Sequence, residues 1–442
     1  MVVGAGTAGA HVAGALARNG RAVALVDRRS PARAGARWCN GILPWQFERA
    51  GLALPSCDEV RGAGGAVHLL SPGRNHRVTV PVDPVWDVDV GRVGDRLRAE
   101  AEAAGVAMRW QVTDPVVHLD GDRPVEVVVR HEQGDLRLRA ALFVDAAGRH
   151  GVIRRQVPAL ARFCPPLQGH ELCSAQQFVH RIEDREGARR FLDAMGAQPG
   201  DAVDWIGPSG GWSAIVIRVG TSLDEVSVLA GTIADGRFGT GRDLLRRTLA
   251  EHRWIGPAIF GGAGLIPLRR TFDRLVSPGL ALVGDAGSQV MAAHGSGTGF
   301  GLIGGTMLAE SVAGALDPGA PDVLRRYESG FHRRFGATIA AADVFRRMSV
   351  AVGSEGVEAL FSSGLFGPSM AEGGLRQELV TPRVSELPSQ LVALLRSPSV
   401  SRTLLPTLAR AAAAQGAYRV RPDGGSEWRL QAWQRAAGWL LD

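Results

Sequence analysis

The hydrophobic and polar positions at the start of the chain predict a β-α-β unit. Residues 1–3 form a short apolar strand, an alanine-rich helix follows, and residues 22–26 form a second apolar strand that ends at Asp27. Because a central strand usually has about five or six residues, the first strand is expected to be either short or trimmed. The turn between the first strand and the helix reads GAGTAG.

The same patterns predict how the rest of the chain is organised. Residues 90–105 have helical spacing, and residues 125–144 alternate around a Gln-Gly turn like a hairpin that leads into a buried strand. Polar helices and short strands, such as 212–219 and 226–230, then fill residues 165–270, and residues 280–283 are expected to return to the first sheet. Beyond Gly319 the pattern is mainly helical, with proline breaks expected at Pro382, Pro388, Pro398 and Pro406.

These patterns predict an α/β domain that is interrupted by a second domain. The expected parts are the first and second parts of the α/β domain (1–164 and 272–345), an inserted α+β substrate domain (165–271) and a helical C-terminal region (346–442). A chain of 442 residues with 45% hydrophobic content can bury a large core and exceeds the usual size of one domain.

Composition excludes several classes of function. The chain has no lysine, so its 50 basic residues are all arginines, scattered without the basic run that would indicate a nucleic-acid partner. The four cysteines form no Cys-x-x-Cys pair, which argues against a zinc site or a disulfide framework and fits a cytoplasmic protein. The longest uncharged run, residues 286–309, is interrupted by polar residues, so no transmembrane segment is expected.

The GAGTAG turn has the sequence and the context of a dinucleotide-binding fingerprint. It consists of Gly4, Ala5, Gly6, Thr7, Ala8 and Gly9. Gly4 allows the tight turn, Gly6 allows the backbone to approach a pyrophosphate at the helix N-terminus, and Gly9 allows close packing of helix and strand. Asp27, at the end of the second strand, is placed to accept hydrogen bonds from ribose hydroxyls.

Two further motifs follow in order and reveal a family resemblance. They are VDAAGRHGVIRR at residues 144–155 and LVGDAGSQVMAAHGSGTG at residues 282–299. With the fingerprint, they resemble the glutathione-reductase-type FAD enzymes, and within these most closely the geranylgeranyl reductase superfamily. That superfamily is related to the group A flavin monooxygenases and the flavin-dependent halogenases. The resemblance covers about three quarters of the chain and implies a Rossmann-type FAD-binding domain.

The resemblance assigns further residues to FAD. Gly284 and Asp285 would contact the ribityl chain and phosphates. The following loop would pass along the flavin ring, and it has Ala292 where the family usually has proline. Backbone N–H groups at a helix start would point there towards the ring edge that becomes negative on reduction. The loop residues assigned are Gly295, Ser296, Gly297 and Thr298, and the arginines assigned are Arg28, Arg37 and Arg92.

Three side chains are candidates for catalysis. His294 is the titratable group of the flavin loop and would either tune the reduced flavin and donate a proton, or bond to a backbone carbonyl in a structural role. Cys39 lies where geranylgeranyl reductases carry a cysteine near the flavin, but it also suits a buried structural position. Trp212 retains one residue of the family's aromatic pattern and would line a substrate pocket or the core.

The resemblance implies an FAD-dependent oxidoreductase that acts on an apolar, unsaturated small molecule by C=C reduction. A flavin-dependent monooxygenase is the alternative, and a non-catalytic flavoprotein is a further one. No second GxGxxG unit for nicotinamide is expected, so NAD(P)H would bind transiently or a separate flavin reductase would supply electrons. Lysine-dependent halogenation is excluded because lysine is absent. The G-x-S-x-G match at residues 207–211 lacks the strand-to-helix context of a hydrolase nucleophile.

Overall fold

The computed structural model describes residues 1–378, 398–423 and 426–441. The strands are β1 (Val2–Val3), β2 (Ala24–Val26), β3 (Cys39–Ile42), β4 (Val60–Gly62), β5 (Val67–Leu70), β6 (Arg77–Val80), β7 (Trp86–Asp89), β8 (Ala107–Arg109), β9 (Thr113–Asp120), β10 (Arg123–Arg130), β11 (Leu136–Arg139), β12 (Phe143–Asp145), β13 (Leu172–Ile182), β14 (Ala202–Ile206), β15 (Ser213–Val219), β16 (Glu225–Ile233), β17 (Ile255–Pro267), β18 (Val276–Ser277) and β19 (Leu280–Leu282).

The α-helices of the described residues are α1 (Thr7–Arg18), α2 (Pro44–Arg49), α3 (Val90–Ala103), α4 (Pro158–Ala161), α5 (Arg185–Met195), α6 (Gly241–Glu251), α7 (Thr298–Val312), α8 (Pro321–Phe331), α9 (Ala337–Ser362), α10 (Pro368–Arg376), α11 (Pro398–Arg419) and α12 (Glu427–Leu441). A π-helical turn at His332–Gly336 joins α8 to α9.

A six-stranded sheet forms the centre of the first domain, in the order β18-β19-β12-β1-β2-β8. Its strands are parallel except for β18, and β1 lies between β2 and β12. Both faces are covered, so these strands are nearly continuous apolar runs. The predicted return of residues 280–283 to this sheet is confirmed, because β19 pairs with β12. The short first strand is also observed, with two residues in β1.

The predicted helix and hairpin lie next to this sheet. The helix is α3, and Asp89 caps it by accepting hydrogen bonds from the N–H groups of Gly91 and Arg92. The hairpin is β10–β11, which together with β9 forms a separate three-stranded antiparallel sheet. Strand β12 follows the hairpin and is fully buried.

A seven-stranded sheet forms the second layer, in the order β17-β13-β16-β15-β14-β5-β6. Five of these strands come from the segment predicted as inserted, whereas β5 and β6 come from residues 67–80, before it in the chain. One face packs against α5 and α6 through a cluster that includes Trp205, Ile217 and Val228. The opposite face is turned towards the first domain and towards α9 and α10.

The described part of the C-terminal region is helical, as predicted. Pro398 begins α11, but the break predicted at Pro406 is wrong, because α11 continues through that residue. Proline removes one N–H donor, and here the helical turns on both sides continue despite that loss. The breaks predicted at Pro382 and Pro388 lie outside the described residues.

Candidate functional site

The glycines of the fingerprint differ in what surrounds them. A Cβ atom added to Gly4 would lie 2.4 Å from the Ala146 carbonyl oxygen, and one added to Gly9 would lie 1.7 Å from the Gly4 carbonyl oxygen. By contrast, a Cβ on Gly6 would come no closer than 3.7 Å to any protein atom, the Cα of Gly35. Gly4 and Gly9 are therefore required by packing, whereas the space beside Gly6 is open.

Helix α1 begins directly after Gly6. Among the residues that the structure describes, no side chain caps this helix, and its first turn has no acidic residue. Asp27 lies beside this turn and accepts hydrogen bonds from the N–H of Ala5 (2.7 Å) and of Arg29 (2.8 Å). Arg28 is exposed on the solvent side of the same loop. The N-terminus of α1 thus has the features of an anion-binding site with a ribose-binding carboxylate next to it.

The arginines assigned to the cofactor have different surroundings. Arg37 is held by Asp95, with Nη1 2.7 Å from the carboxylate, and Arg92 leaves 52% of its side chain exposed. A residue that sequence reasoning missed is Arg98 on α3, which is buried and donates to the Ala5 carbonyl oxygen at 2.8 Å. Arg98 also forms an ion pair with Asp95, so one carboxylate positions both arginines at the fingerprint loop.

The second motif is a structural junction. The buried Asp145 carboxylate accepts hydrogen bonds from the N–H groups of Ala147 (3.1 Å), Ile153 (2.8 Å) and Arg154 (2.9 Å). Arg154 in turn donates to the Ala286 carbonyl oxygen at 2.5 Å. The second motif is therefore bonded directly to the third.

The third motif begins with a tight turn against the fingerprint helix. Gly284 has φ of +69°, and a Cβ there would lie 3.2 Å from the Ala8 side chain. Its N–H donates to Gln289 at 2.7 Å, and Gln289 donates to the Tyr327 hydroxyl at 2.9 Å. A Cβ on Gly301 of α7 would lie 3.1 Å from Ala8, so small residues allow α1, α7 and the turn to meet.

Asp285 follows this turn at the end of β19. Its carboxylate is partly exposed, and within the described part of the chain its side chain has no hydrogen-bond partner. Enclosure by the protein raises its pKa to about 6, and the positive charge of Arg149 opposes that rise. The Arg149 side chain is likewise without a hydrogen bond to any described residue. Sequence reasoning missed Arg149 as a site residue, although its place after the Asp-Ala-Ala-Gly turn was an available signal.

The flavin loop, residues 291–298, is held against β3. Ser296 donates to the Gly41 carbonyl oxygen at 2.8 Å, and Asn40 donates to the Thr298 hydroxyl at 2.9 Å. Gly297 precedes α7, which also has no capping side chain and no acidic residue in its first turn. A Cβ on Gly297 would lie 2.9 Å from Val290, so packing within the loop requires this glycine.

The structure also shows the surroundings of the other residues singled out in the flavin loop. Gly295 has φ of +71°, which favours glycine, and Ala292 is fully buried. His294 Nε2 lies 3.1 Å from the Gly374 carbonyl oxygen. The side chain is exposed and lines a cavity. Desolvation by the surrounding protein lowers the pKa of His294, while the bond to Gly374 acts in the opposite direction.

That cavity has a volume of about 450 Å³ and lies between the flavin loop, β3 and one face of the seven-stranded sheet. Its lining is mainly apolar, and α9 and α10 close the remaining side. His294, Cys39 and Trp212, the three candidates for catalysis, all line it. The structure therefore brings together side chains that are up to 255 positions apart in the sequence.

Cys39 and Trp212 are fixed by bonds to neighbouring segments. The Cys39 N–H donates to Gln177 at 2.7 Å, and the Trp212 indole N–H donates to the Ala293 carbonyl oxygen at 2.7 Å. Burial, with the nearby carboxylates of Asp87 and Asp89, raises the pKa of the Cys39 thiol above its usual range. The sulfur is therefore a protonated thiol at neutral pH.

Comparison with known proteins identifies relatives over most of the chain. It is 27% identical over 363 residues to digeranylgeranylglycerophospholipid reductase 2 of Methanopyrus kandleri, covering 79% of this chain and 87% of the relative. It is 23% identical over 360 residues to the digeranylgeranylglycerophospholipid reductase of Sulfolobus acidocaldarius, covering 78% and 76%. No protein-family model matches. The chain is thus similar to enzymes of the geranylgeranyl reductase superfamily over more than three quarters of its length.

Solved structures show the fold of this superfamily. A geranylgeranyl bacteriochlorophyll reductase-like protein from Thermoplasma acidophilum superposes with a TM-score of 0.71 at 18% identity, covering 92% of this chain and 98% of that one. A flavin-dependent brominase superposes with a TM-score of 0.58 at 16% identity, covering 85% and 92%. The predicted fold class is confirmed.

Similarity to these reductases supports an oxidoreductase that uses a flavin. This agrees with the expectation drawn from the three motifs. Among the helices of residues 1–378, 398–423 and 426–441, none combines the length and the apolar character that crossing a membrane requires.

Proposed function

We propose that the protein is an FAD-dependent reductase of a C=C bond in an apolar small molecule. The observation that carries this proposal is the mainly apolar cavity that borders the flavin loop and contains all three candidates for catalysis. The names of the relatives in Methanopyrus kandleri and Sulfolobus acidocaldarius support the reaction, because both are named digeranylgeranylglycerophospholipid reductases.

The residues of the site fit FAD. The open space beside Gly6 and the uncapped N-terminus of α1 would accept the pyrophosphate, with Asp27 at the adenosine ribose. Asp285, which lacks a partner among the described residues, would accept hydrogen bonds from the ribityl part of the cofactor. The N-terminus of α7 would stabilise negative charge on the ring. When bound and reduced, the cofactor supplies a hydride.

The structure favours Cys39 over His294 as the side chain that holds a proton for the substrate. A carbonyl oxygen only accepts hydrogen bonds, so His294 Nε2 carries the hydrogen shared with Gly374. In the neutral ring Nδ1 is then an acceptor and has no proton to give. The Cys39 thiol keeps its proton at Sγ, since burial raises its pKa. Water is the other proton source open to this site.

Electrons would come from outside the chain. The GxGxxG turn that joins a strand to a helix, at residues 4–9, is assigned to FAD, and the other match, at residues 299–304, lies inside α7. We propose that NAD(P)H binds transiently or that a separate flavin reductase supplies electrons. Steady NAD(P)H oxidation by the purified protein alone supports the first source.

Photoreduced protein separates reduction from oxygenation. Mixed under argon with prenyl alkenes, it is expected to regain the oxidised flavin spectrum and to yield a product that is heavier by two hydrogen atoms, as measured by mass spectrometry. Photoreduced protein kept under argon without an alkene is the control. Reoxidation only in air, with oxygen incorporated into the substrate, would instead identify a monooxygenase.

His294 is expected to affect the flavin potential only at low pH. Because its pKa is lowered from the ordinary value of histidine, the ring is mainly neutral at neutral pH and adds little charge there. As pH falls through the lowered pKa, a protonated ring stabilises anionic reduced flavin, so the wild-type potential should rise above that of His294→Ala. Spectroelectrochemical titrations should agree at neutral and higher pH and diverge as the solution becomes acidic. Superimposable potentials throughout would show that the histidine is structural.

A further inference from the structure

The carboxylic acid Asp204 lies among apolar neighbours on the face of the seven-stranded sheet that lines the cavity. Asp204 is on β14, and its cross-strand neighbours are Leu69 on β5 and Val216 on β15. Along β14 the residues on the same face are Ala202 and Ile206. All four neighbours belong to one hydrophobic cluster, so the sheet provides Asp204 with no polar partner.

The Asp204 carboxyl group is unsatisfied. Its Oδ1 atom is buried without a hydrogen bond, and no described residue bonds to the rest of the group. Burial and the nearby Asp83 raise its pKa to about 7. A carboxyl group with a buried, unpaired oxygen among apolar neighbours is unfavourable once it ionises. An apolar residue at this position would avoid that cost, which indicates that a ligand supplies the missing partner.

The charges around Asp204 favour a positive ligand. Arg218 donates to Asp83 (2.5 Å) and to Asp87 (2.8 Å), and its remaining nitrogen donates to the Gly200 carbonyl oxygen (2.7 Å). One guanidinium is thus shared by two carboxylates. The group has a net charge of −1 even when Asp204 is protonated.

Another arginine of the cavity lining does not change this net negative charge. Arg346 on α9 is paired with Asp343 at 2.7 Å and also donates to the His170 carbonyl oxygen. A phosphate at the Asp204 end would therefore meet carboxylates without a free guanidinium among the described lining residues. An ammonium group would find a carboxyl that lacks a partner.

Asp204 lies far from Cys39 within the cavity. One cross-strand row runs from Asp204 through Val216 and Leu229 to Gln177, which accepts the Cys39 N–H. Three strand spacings separate Asp204 from Gln177, or about 14 Å. A substrate that places its reacting bond near Cys39 would extend its other end towards Asp204.

We propose that Asp204 binds a positively charged nitrogen at the end of an otherwise apolar substrate, so that the substrate class is an apolar amine and not a prenyl phosphate. This inference rests on the proposed function for the reacting end of the substrate. It separates the chain from relatives such as the geranylgeranyl diphosphate reductase of Rhodobacter capsulatus, which is 25% identical over 339 residues.

Equilibrium binding to the flavin-loaded full chain tests this assignment. The probes are dodecylamine, dodecyl phosphate and dodecanol below their micelle concentrations, and their dissociation constants are measured by isothermal titration calorimetry. The wild type should bind the amine at least tenfold more tightly than the other two. Asp204→Asn and Asp204→Leu should both lose that preference, while dodecanol binding by the leucine variant stays equal or becomes tighter.

Asp193→Asn is the matched control, because this exposed carboxylate lies on α5, on the opposite side of the sheet. Its removal should leave the preference for the amine unchanged. Wild-type protein that binds the phosphate or the alcohol as tightly as the amine would overturn the proposal. So would an Asp204→Asn variant that keeps the amine preference. Because binding is measured without turnover, the result stands apart from the reduction assay.

Discussion

Gly6→Val is expected to abolish retention of FAD while the apoprotein stays folded. The reason is that the space beside Gly6 is free of protein atoms to 3.7 Å, and its φ of −69° is one that any residue adopts. A valine side chain would project into the space that a pyrophosphate needs at the start of α1. The measurement is the flavin absorbance of purified protein, together with thermal unfolding of both apoproteins.

Two other glycines provide the controls. Gly9→Val should fail to fold, because its Cβ would overlap the Gly4 carbonyl oxygen at 1.7 Å. Gly416→Ala on α11, where a Cβ has no neighbour within 4 Å, should keep flavin at wild-type levels. One FAD per chain in the Gly6→Val variant would contradict the placement of the pyrophosphate.

The sequence was informative wherever local pattern decides structure. The β-α-β unit, the helix at α3, the β10–β11 hairpin and the return of β19 to the first sheet all follow from apolar periodicity and glycine-rich turns. The third motif was readable because its glycines serve close packing, as at Gly284 against Ala8. Such packing requirements restrict the residue type at a position, so they can be recognised in the sequence.

The pairing of strands that are distant in the sequence could not be recognised in this way. Strand β5 joins β14 in parallel across more than a hundred residues, and nothing in its Val-His-Leu-Leu sequence indicates which sheet it enters. Asp204 gave no signal either, because a single acid in an apolar strand is recognised as unpaired only when its neighbours in space are known. Arg98 was missed for the same reason, since its partner Ala5 is 93 positions away.

Asp145, the last residue of β12, and Asp285, which follows β19, should respond in opposite ways to substitution by alanine. Asp145→Ala leaves three backbone N–H groups without their acceptor, and we expect a loss of more than about 3 kcal/mol in the free energy of unfolding. Asp285→Ala removes a side chain without a hydrogen bond to any described residue. Its fold should remain intact, and its affinity for FAD should fall at least tenfold, since a charge-assisted hydrogen bond contributes about 1.5–3 kcal/mol.

The pH dependence of stability gives the Asp285 experiment a second readout. With a folded-state pKa of about 6, above its usual value of 3.8, the carboxyl group binds its proton more tightly in the folded apoprotein than in the unfolded chain. Its ionisation therefore destabilises the wild type above pH 6, and that penalty disappears as pH falls to about 4. Asp285→Ala apoprotein should be at least as stable as wild type at pH 7 by chemical denaturation, with the difference shrinking towards pH 4. Calorimetric titration of both apoproteins measures FAD affinity, and equal affinities would show that the cofactor does not contact this carboxylate.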